Sequence, residues 1–184
     1  YLLTGQLEPT KEAYSIAKIA GIKLCENLKK QYKRNYFSVQ PTNLYGPNDN
    51  FDLETSHVLP ALIKKIHNAK NSNSKNIFLW GSGKPKREFL YSEDLADCLI
   101  FLSKRESDLN LINVGSGEEI TILDLAKLIC NVINYEGDIL YDSSKPDGML
   151  RKKLDLSILN SLGWKSKITL KEGITKTYRS FIEK

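Results

Sequence analysis

Apolar residues follow two spacings along the chain, one typical of strands and the other of helices. Residues 77–80 form a short apolar run that ends at a Gly-Ser-Gly turn, which is typical of a strand. Between residues 57 and 69, apolar side chains recur three or four positions apart, as on one face of a helix. After an extended entry over residues 1–10, these patterns predict helices from Pro9 or Thr10 to about Arg34, from His57 to about Ala69, from Ser92 to about Ser103, from Thr121 to about Ile133 and from Thr169 onwards. They predict strands over residues 36–40, 77–80, 88–91, 111–114, 138–141 and 152–154, with a polar loop over 42–56.

Polar residues at the predicted helix starts support several of these boundaries. Ser56 is expected to cap the second helix, and Thr121 with Asp124 forms a capping box for the fourth. Thr169 with Glu172 repeats that pattern at the last helix. Because strands and helices alternate throughout, the sequence predicts an α/β fold.

Composition excludes several classes of protein. Of the 184 residues, 41% are hydrophobic and 27% are charged, which is usual for globular domains. No apolar run approaches the ~20 residues that a membrane span needs. With 27 Lys and Arg against 22 Asp and Glu, the net charge is +5. Since the basic residues are scattered and no nucleic-acid-binding motif is present, the charge favours a pocket for a phosphorylated small molecule over nucleic acid.

The three cysteines indicate neither disulfides nor a metal site. Cys25, Cys98 and Cys130 lie far apart in the sequence, and no two of them form a Cys-x-x-Cys pair. Each lies beside aliphatic residues in a helical pattern. We therefore expect buried structural thiols in a reducing, cytoplasmic compartment.

The first candidate catalytic residues are Tyr14 and Lys18, which lie four residues apart on one face of the first predicted helix. Residues 16–25 carry only two charges, Lys18 and Lys23, which predicts a helix buried on more than one side. An ammonium ~4 Å from a phenol stabilises the phenolate by about 1 to 4 kcal/mol. Tyr14 is therefore suited to proton transfer near neutral pH. The spacing alone also fits a core tyrosine beside a lysine that extends to solvent.

Four sequence motifs, of which the first contains Tyr14 and Lys18, give further evidence for an active site. Tyr-Ser-Ile-Ala-Lys at 14–18 precedes Pro-Thr-Asn-Leu-Tyr-Gly-Pro at 41–47, Arg-Glu-Phe-Leu-Tyr-Ser-Glu-Asp at 87–94 and Asn-Val-Gly-Ser-Gly at 113–117. In content and order they resemble the extended short-chain dehydrogenase/reductase family. Residues 56–62, 80–83 and 144–148 narrow the resemblance to members that act on a GDP-sugar. The implied fold is the C-terminal part of an extended Rossmann domain with a small α/β substrate-binding domain.

The resemblance implies NADPH as cofactor, and epimerisation at C3 and C5 with reduction at C4 of GDP-4-keto-6-deoxy-mannose. Tyr14 would protonate the C4 oxygen, and Lys18 would bind the nicotinamide ribose. His57 would exchange protons with the sugar as acid and base, and the positive end of its helix would disfavour the imidazolium. The implied cofactor-binding residues are Tyr14, Lys18, Pro41, Thr42, Asn43, Leu44 and His57.

The implied GDP-sugar ligands are Lys65, Trp80, Arg87 and Asp147, with Lys152 as a weaker candidate. Arg87 has the planar fork that binds a diphosphate with two hydrogen bonds. Lys65 stands where the family has arginine, which keeps the charge but loses that fork. From the residues alone, Trp80 also fits a core position, and Lys65 and Arg87 also fit a solvated surface. His67 has no evident partner in the sequence and is interpreted as structural.

The family's glycine-rich phosphate loop has no match in the chain. The resemblance implies that this loop, a catalytic serine and the epimerisation cysteine lie upstream of Tyr1. The only methionine, Met149, also indicates a fragment. We expect residues 1–50 to complete a cofactor-binding domain and residues 51–184 mainly to bind the GDP-sugar, with short stretches returning to the first domain. Alone, the chain is expected to show no turnover.

Two alternatives remain open from the sequence. One is another nucleotide-sugar epimerase, dehydratase or reductase of the same family, and the other is a non-catalytic module that binds a nucleotide-sugar. The apolar first helix also predicts a homodimer that pairs this helix with its copy in a second chain.

Overall fold

The computed structural model describes residues 4–105 and 109–183, so the first three residues of the predicted extended entry lie outside it. Within these ranges helices and strands alternate, which confirms the predicted α/β class. After a 3-10 turn at Pro9–Lys11, the helices are α1 (Glu12–Tyr32), α2 (Val58–Asn71), α3 (Ser92–Ser103), α4 (Ile122–Ile133), α5 (Ser157–Ser161) and α6 (Leu170–Ile182). The strands are β1 (Ser38–Pro41), β2 (Asn43–Tyr45), β3 (Asn76–Trp80), β4 (Lys86–Tyr91), β5 (Leu111–Val114), β6 (Glu119–Thr121), β7 (Asp138–Asp142) and β8 (Arg151–Lys152).

Parallel pairing brings together strands that are distant in the sequence. β1 pairs with β5, with Pro41 opposite Val114, and β3 pairs with β7. β2 pairs with β4, which also pairs antiparallel with β6 and parallel with β8. Since parallel neighbours require a long crossover connection, helices lie between the paired strands along the chain.

Three short elements were not predicted. β2 lies within the predicted polar loop, and β6 and α5 lie in segments without an assignment. Each has three to five residues, which is too short to show a period. β2 is a strand because it pairs with β4, and this pairing leaves Tyr45 almost completely buried.

The core consists of two groups of buried side chains. The larger one lies among α2, α4, β3, β4 and the start of α6, and the smaller one lies among α3, β4, β5 and α5. The larger includes Leu59, Leu62, Ile63, Ile66, Ile77, Leu79, Phe89, Leu125, Ile129, Ile133 and Ile174. The smaller includes Leu90, Cys98, Leu102, Ile112, Val114, Leu159 and Trp164. Strand β4 contributes to both groups and therefore connects them.

Local capping accounts for two of the predicted helix starts. Thr169 and Glu172 form a complete capping box at α6, and Thr121 accepts a hydrogen bond from the Asp124 amide at α4. The predicted cap at Ser56 is wrong, because the chain stays extended through His57 and the first helical residue is Val58. The Ser56 hydroxyl is instead buried, with no hydrogen-bond partner in the described part of the chain.

The burial predicted for α1 is also wrong within this chain. None of its residues is fully buried, and Tyr14, Ile16 and Leu24 are exposed. The residues that are half-buried follow one side of the helix: Ser15, Ile19, Ile22, Cys25, Glu26, Leu28 and Lys29. Other parts of the described chain therefore cover α1 along one side only.

The three thiols have different surroundings. Cys98 and Cys130 are buried as expected, whereas Cys25 on α1 is only half-buried. Burial, with the nearby Asp97 carboxylate, raises the pKa of Cys98 to about 11. Burial also raises the pKa of Cys130. Among the described residues, no helix is both long and apolar enough to cross a bilayer.

Candidate active site

Tyr14 and Lys18 share one face of α1, as their spacing predicts. The Lys18 ammonium lies 5.3 Å from the centroid of the Tyr14 ring. The Tyr14 side chain is 66% exposed. Neither side chain makes a hydrogen bond to another described residue, so the hydroxyl and the ammonium are both accessible to a ligand.

The segment Pro41–Leu44 lies where β1 and β5 both end, and it crosses directly from β1 into β2. The backbone N–H of Thr42 donates to the Val114 carbonyl at 2.9 Å. Its hydroxyl donates to the Glu88 carbonyl at 3.0 Å, and the Asn43 side-chain amide donates to the same oxygen at 2.7 Å. The sequence predicted a polar loop from residue 42 onwards, but Thr42, Asn43 and Leu44 are extended and are hydrogen-bonded to β4 and β5. Ligands of α/β folds bind at such carboxyl ends of parallel strands.

Glu88, which the sequence analysis did not select, lies at this junction. It is fully buried, and its Oε1 accepts a hydrogen bond from the Gly117 amide at 2.7 Å. Its Oε2 has no hydrogen-bond partner in the described chain. The sequence feature that could have indicated a buried role for Glu88 is the position of its carboxylate next to the apolar residues of a predicted strand. The side chain links β4 to the loop that follows β5.

His57 is the N-cap residue of α2, one position before the first helical turn in which it was predicted. Its side chain is exposed and makes no hydrogen bond within residues 4–105 and 109–183. Its carbonyl accepts from the Ala61 amide at 3.0 Å. The imidazole therefore stands at the positive end of the helix dipole, with its ring nitrogens accessible.

His67 has the structural role that was predicted for it. Nδ1 lies 3.0 Å from the Tyr178 hydroxyl, and Nε2 lies 2.8 Å from the side-chain amide of Asn71. Its ring packs edge-on against Phe181. Both ring nitrogens are engaged with neighbours of α2 and α6, so His67 lies apart from the candidate chemistry.

Lys65 and Trp80 form one group with Lys145. Both ammonium groups lie 5.4 Å from the centroid of the Trp80 ring. The indole is 58% exposed, so the alternative in which Trp80 belongs to the core is wrong. Lys65 donates to the Phe78 carbonyl at 2.7 Å. Partial burial lowers the pKa of Lys65, and the Asp142 carboxylate opposes that shift.

Arg87 and Asp147 are both held by their surroundings. Nη1 of Arg87 donates to the Lys86 carbonyl at 2.7 Å and to the Met149 carbonyl at 2.6 Å. Asp147 accepts from the Ser82 amide at 2.8 Å and from the Ser82 hydroxyl at 2.6 Å. These two bonds hold the pKa of the Asp147 carboxyl below its usual range. Lys152 is exposed on β8 and lies opposite Arg87 in the strand register.

The structure thus brings the four predicted sugar-nucleotide ligands to one region. Lys65, Trp80, Arg87 and Asp147 all lie at or beside the segment from Ser144 to Leu150. No hydrogen bond or ring contact within the described residues joins this region to Tyr14, Lys18 or His57. In the same ranges, no group of three or more His, Cys, Asp or Glu side chains could hold a metal ion.

Known proteins are similar to this chain in sequence and in fold. The chain is 55% identical over 181 residues to a GDP-L-fucose synthase of Sinorhizobium fredii, covering 98% of this chain and 58% of that protein. It is 49% identical over 191 residues to the GDP-L-fucose synthase of Escherichia coli, covering 99% of this chain and 60% of that protein. The chain therefore spans little more than half the length of these relatives.

A solved structure shares the fold. The NADP-bound GDP-L-fucose synthetase of Naegleria fowleri matches with a TM-score of 0.88 at 31% identity, covering 98% of this chain and 59% of that one. The sequence profile described as the NAD dependent epimerase/dehydratase family matches residues 1–115, more than half of the chain. The chain belongs to the NAD dependent epimerase/dehydratase family.

Proposed function

We propose that this chain, within a full-length enzyme, takes part in the NADPH-dependent conversion of GDP-4-keto-6-deoxy-D-mannose to GDP-L-fucose. One observation carries the proposal: the 55% identity to the Sinorhizobium fredii GDP-L-fucose synthase, which extends over 98% of this chain. The clustering of the predicted ligands beside the 144–150 segment supports it.

Residues 1–50 are proposed to complete the cofactor-binding domain, and residues 51–184 mainly to bind the GDP-sugar. The pairing of β5 with β1 supports this division, since a strand from the second part returns to extend the sheet of the first. Pro41, Thr42, Asn43 and Leu44 would line the nicotinamide from the ends of these strands.

The described residues fit a nicotinamide cofactor. The Tyr14 hydroxyl and the Lys18 ammonium have no competing partner among them, so both can bind ribose hydroxyls. NADPH would supply the hydride that reduces C4 of the sugar. Tyr14 donates its hydroxyl proton to the C4 oxygen, and the Lys18 ammonium stabilises the phenolate that remains.

His57 is proposed to exchange protons at C3 and C5 of the sugar and to contact the cofactor. Its exposed ring at the start of α2 supports a role as acid and base, because neither ring nitrogen is committed to a neighbour in the described chain. The proton therefore leaves or enters at an accessible imidazole nitrogen.

The GDP-sugar is proposed to bind at Lys65, Trp80, Arg87 and the adjoining Asp147. The Trp80 indole offers a flat wall to a ring of the ligand, and two ammonium groups beside it attract the diphosphate. Arg87 keeps Nη2 and Nε for a fork-like contact, because its present bonds use Nη1.

The test is a hybrid in which this chain replaces the matching segment of the Sinorhizobium fredii enzyme. We expect the hybrid to oxidise NADPH in the presence of GDP-4-keto-6-deoxy-mannose and to release GDP-L-fucose, identified by chromatography. Tyr14→Phe in the hybrid removes the proton donor and should lower kcat by at least about a hundredfold. The chain alone should show no turnover.

Three outcomes would contradict the proposal. The first is a folded hybrid that binds NADPH but produces no GDP-L-fucose. The second is a hybrid that converts only a UDP-sugar, which would favour another epimerase or reductase of the family. The third is binding of the GDP-sugar without any turnover, which would favour a binding module.

We also propose a homodimer that forms through α1, and a cytoplasmic location. The exposed apolar side chains of Ile16 and Leu24 support the dimer, since they occupy a part of α1 that the described chain leaves uncovered. The free thiols support a reducing compartment.

A further inference from the structure

Strands β3 and β7 together present an apolar side that faces away from the core. Phe78 and Trp80, two positions apart on β3, are both exposed, and the residue between them is buried. The parallel register places Leu140 opposite Phe78 and Asp142 opposite Trp80. Because register partners in neighbouring strands point to the same side, these four side chains share one face, called the outer face below. Two exposed rings beside a carboxylate suit a flat ligand ring that carries hydrogen-bond donors.

The carboxylate of Asp142 is only half committed to the protein. Its Oδ1 accepts from the Ser144 amide at 3.0 Å and from the Ser144 hydroxyl at 2.5 Å. Within residues 4–105 and 109–183, its Oδ2 accepts no hydrogen bond. The Ser144 bonds, helped by the Lys145 and Lys65 ammonium groups, hold the pKa of the Asp142 carboxyl below its usual range. Asp142 is therefore ionised near neutral pH, and its Oδ2 is available as an acceptor only.

Two cations beside the outer face make it suitable for a nucleotide in spite of the carboxylate. The ammonium groups of Lys65 and Lys145 each lie 5.4 Å from the centroid of the Trp80 ring. Their charges offset the repulsion between the Asp142 carboxylate and the phosphates of a ligand. A base can therefore pack against the Trp80 ring while its diphosphate stays close to the two ammonium groups.

The chemistry of the bases decides which one this arrangement prefers. Guanine carries two adjacent donors, N1–H and the N2 amino group, and a carboxylate oxygen has lone pairs for both. Adenine presents the lone pair of N1 at the same edge, and uracil presents one N–H between two carbonyl oxygens. Both of these bases bring acceptors toward an acceptor, which is unfavourable in a partly dry site. The free Asp142 oxygen beside a ring wall therefore favours guanine.

We propose that Asp142 selects guanine, by accepting hydrogen bonds from the N1–H and the N2 amino group of the base while the base packs on Trp80. The inference rests on the proposed function for the presence of a nucleoside diphosphate at this face, and it names the residue that would distinguish GDP from other nucleotides. Arg87 and Asp147 remain ligands of other parts of the GDP-sugar.

The first experiment is a calorimetric titration of the full chain with GDP, IDP and ADP. The three probes share the ribose and the diphosphate, so only the base differs. IDP lacks the N2 amino group, and ADP lacks the N1–H as well. We expect GDP to bind about tenfold more tightly than IDP and about a hundredfold more tightly than ADP, because each missing donor removes a hydrogen bond to a charged acceptor.

The second experiment repeats the titrations with Asp142→Asn. The two Ser144 donors should keep the amide oxygen, so the NH₂ group takes the place of Oδ2 and faces the base. This group opposes the donors of guanine and matches N1 of adenine. GDP should therefore bind at least about tenfold more weakly, and ADP no more weakly than before. A residue that only holds its own turn would change both affinities alike.

Asp138→Asn is the matched control. Asp138 is an exposed carboxylate on the same side of β7, at the opposite end of the strand from Asp142. Its replacement changes the charge by the same amount and should leave the affinities for GDP, IDP and ADP in their original order and ratio.

Equal affinities of the unmodified chain for the three probes would overturn the inference, as would no binding of any of them. So would equal losses of GDP and ADP binding in Asp142→Asn. Turnover of the hybrid enzyme decides the proposed function separately. A hybrid that releases GDP-L-fucose while the chain shows no preference for GDP would reject only the role of Asp142, and a clear preference for GDP with an inactive hybrid would reject only the proposed reaction.

Discussion

The carboxylate of Glu88 lies directly against Gly115, so a Cβ at position 115 would overlap its Oε1. Gly115 follows β5 and Glu88 belongs to β4, so the contact joins the two strands on either side of the Pro41–Leu44 segment. Because Glu88 is 0% exposed, its side chain cannot turn toward solvent to make room.

Gly115→Ala should therefore lower the free energy of unfolding by about 1–3 kcal/mol, as overpacking does in a well-packed interior. Urea denaturation followed by circular dichroism measures the change. Gly21→Ala on α1 is the matched control, since nothing lies within 4 Å of its added Cβ. An equal loss in both variants would contradict the contact.

Replacement of Glu88 tests its hydrogen bond to Gly117. Glu88→Ala leaves the Gly117 amide without its acceptor and should cost about 2 kcal/mol of unfolding free energy. Glu88→Gln keeps an oxygen for that amide and should cost less. Urea denaturation measures both variants, and an equal loss in Glu88→Ala and Glu88→Gln would contradict a role for this hydrogen bond.

The pair Glu119–Arg151, which joins β6 and β8 across the strand β4 that lies between them, predicts a pH dependence of stability. Two hydrogen bonds from Arg151, at 2.8 and 2.6 Å, lower the pKa of Glu119 from 4.5 to about 2. Since the folded-state pKa lies below the ordinary one, the contact stabilises the fold above pH 4.5 and is lost as the pH falls through about 2. A carbon-13 titration of Glu119 should show this midpoint, and Arg151→Ala should move it upward. An unchanged midpoint in that variant would refute the assignment.

The cysteines should differ in reactivity. Cys98 has a pKa raised to about 11 and is fully buried, and Cys130 is almost so. At pH 8, a disulfide reagent should therefore label Cys25 first in the folded chain, because the thiolate reacts and needs access. Mass spectrometry of labelled peptides identifies the site. Equal labelling of Cys98 would show that the α3 core opens readily, and labelling in urea provides the fully accessible control.

The proposed dimer predicts that a charge on α1 separates the chains. Leu24→Glu should shift the hybrid enzyme from dimer to monomer in analytical ultracentrifugation. Ile100→Glu on α3 is the control, with an exposure of 57% against 59% for Leu24. A monomer in the unmodified hybrid, or dissociation by both substitutions, would contradict an interface at α1.

The sequence by itself determined the features that depend on near neighbours. The capping box joins Thr169 and Glu172, which are three positions apart, and the shared face of Tyr14 and Lys18 follows from helical spacing. The α/β alternation and most element positions follow from periodicities within single segments. These features can be predicted without knowing which distant segments of the chain come into contact.

Only the tertiary structure decided the contacts between distant segments. Asp147 meets Ser82 across 65 residues, and Glu88 meets Gly117 across 29, through crossovers and strand registers that no local period encodes. Tertiary packing likewise leaves α1 exposed despite its apolar sequence. Side chains of the same chemical type thus hold a turn or lie buried between strands, because their neighbours come from elsewhere in the chain.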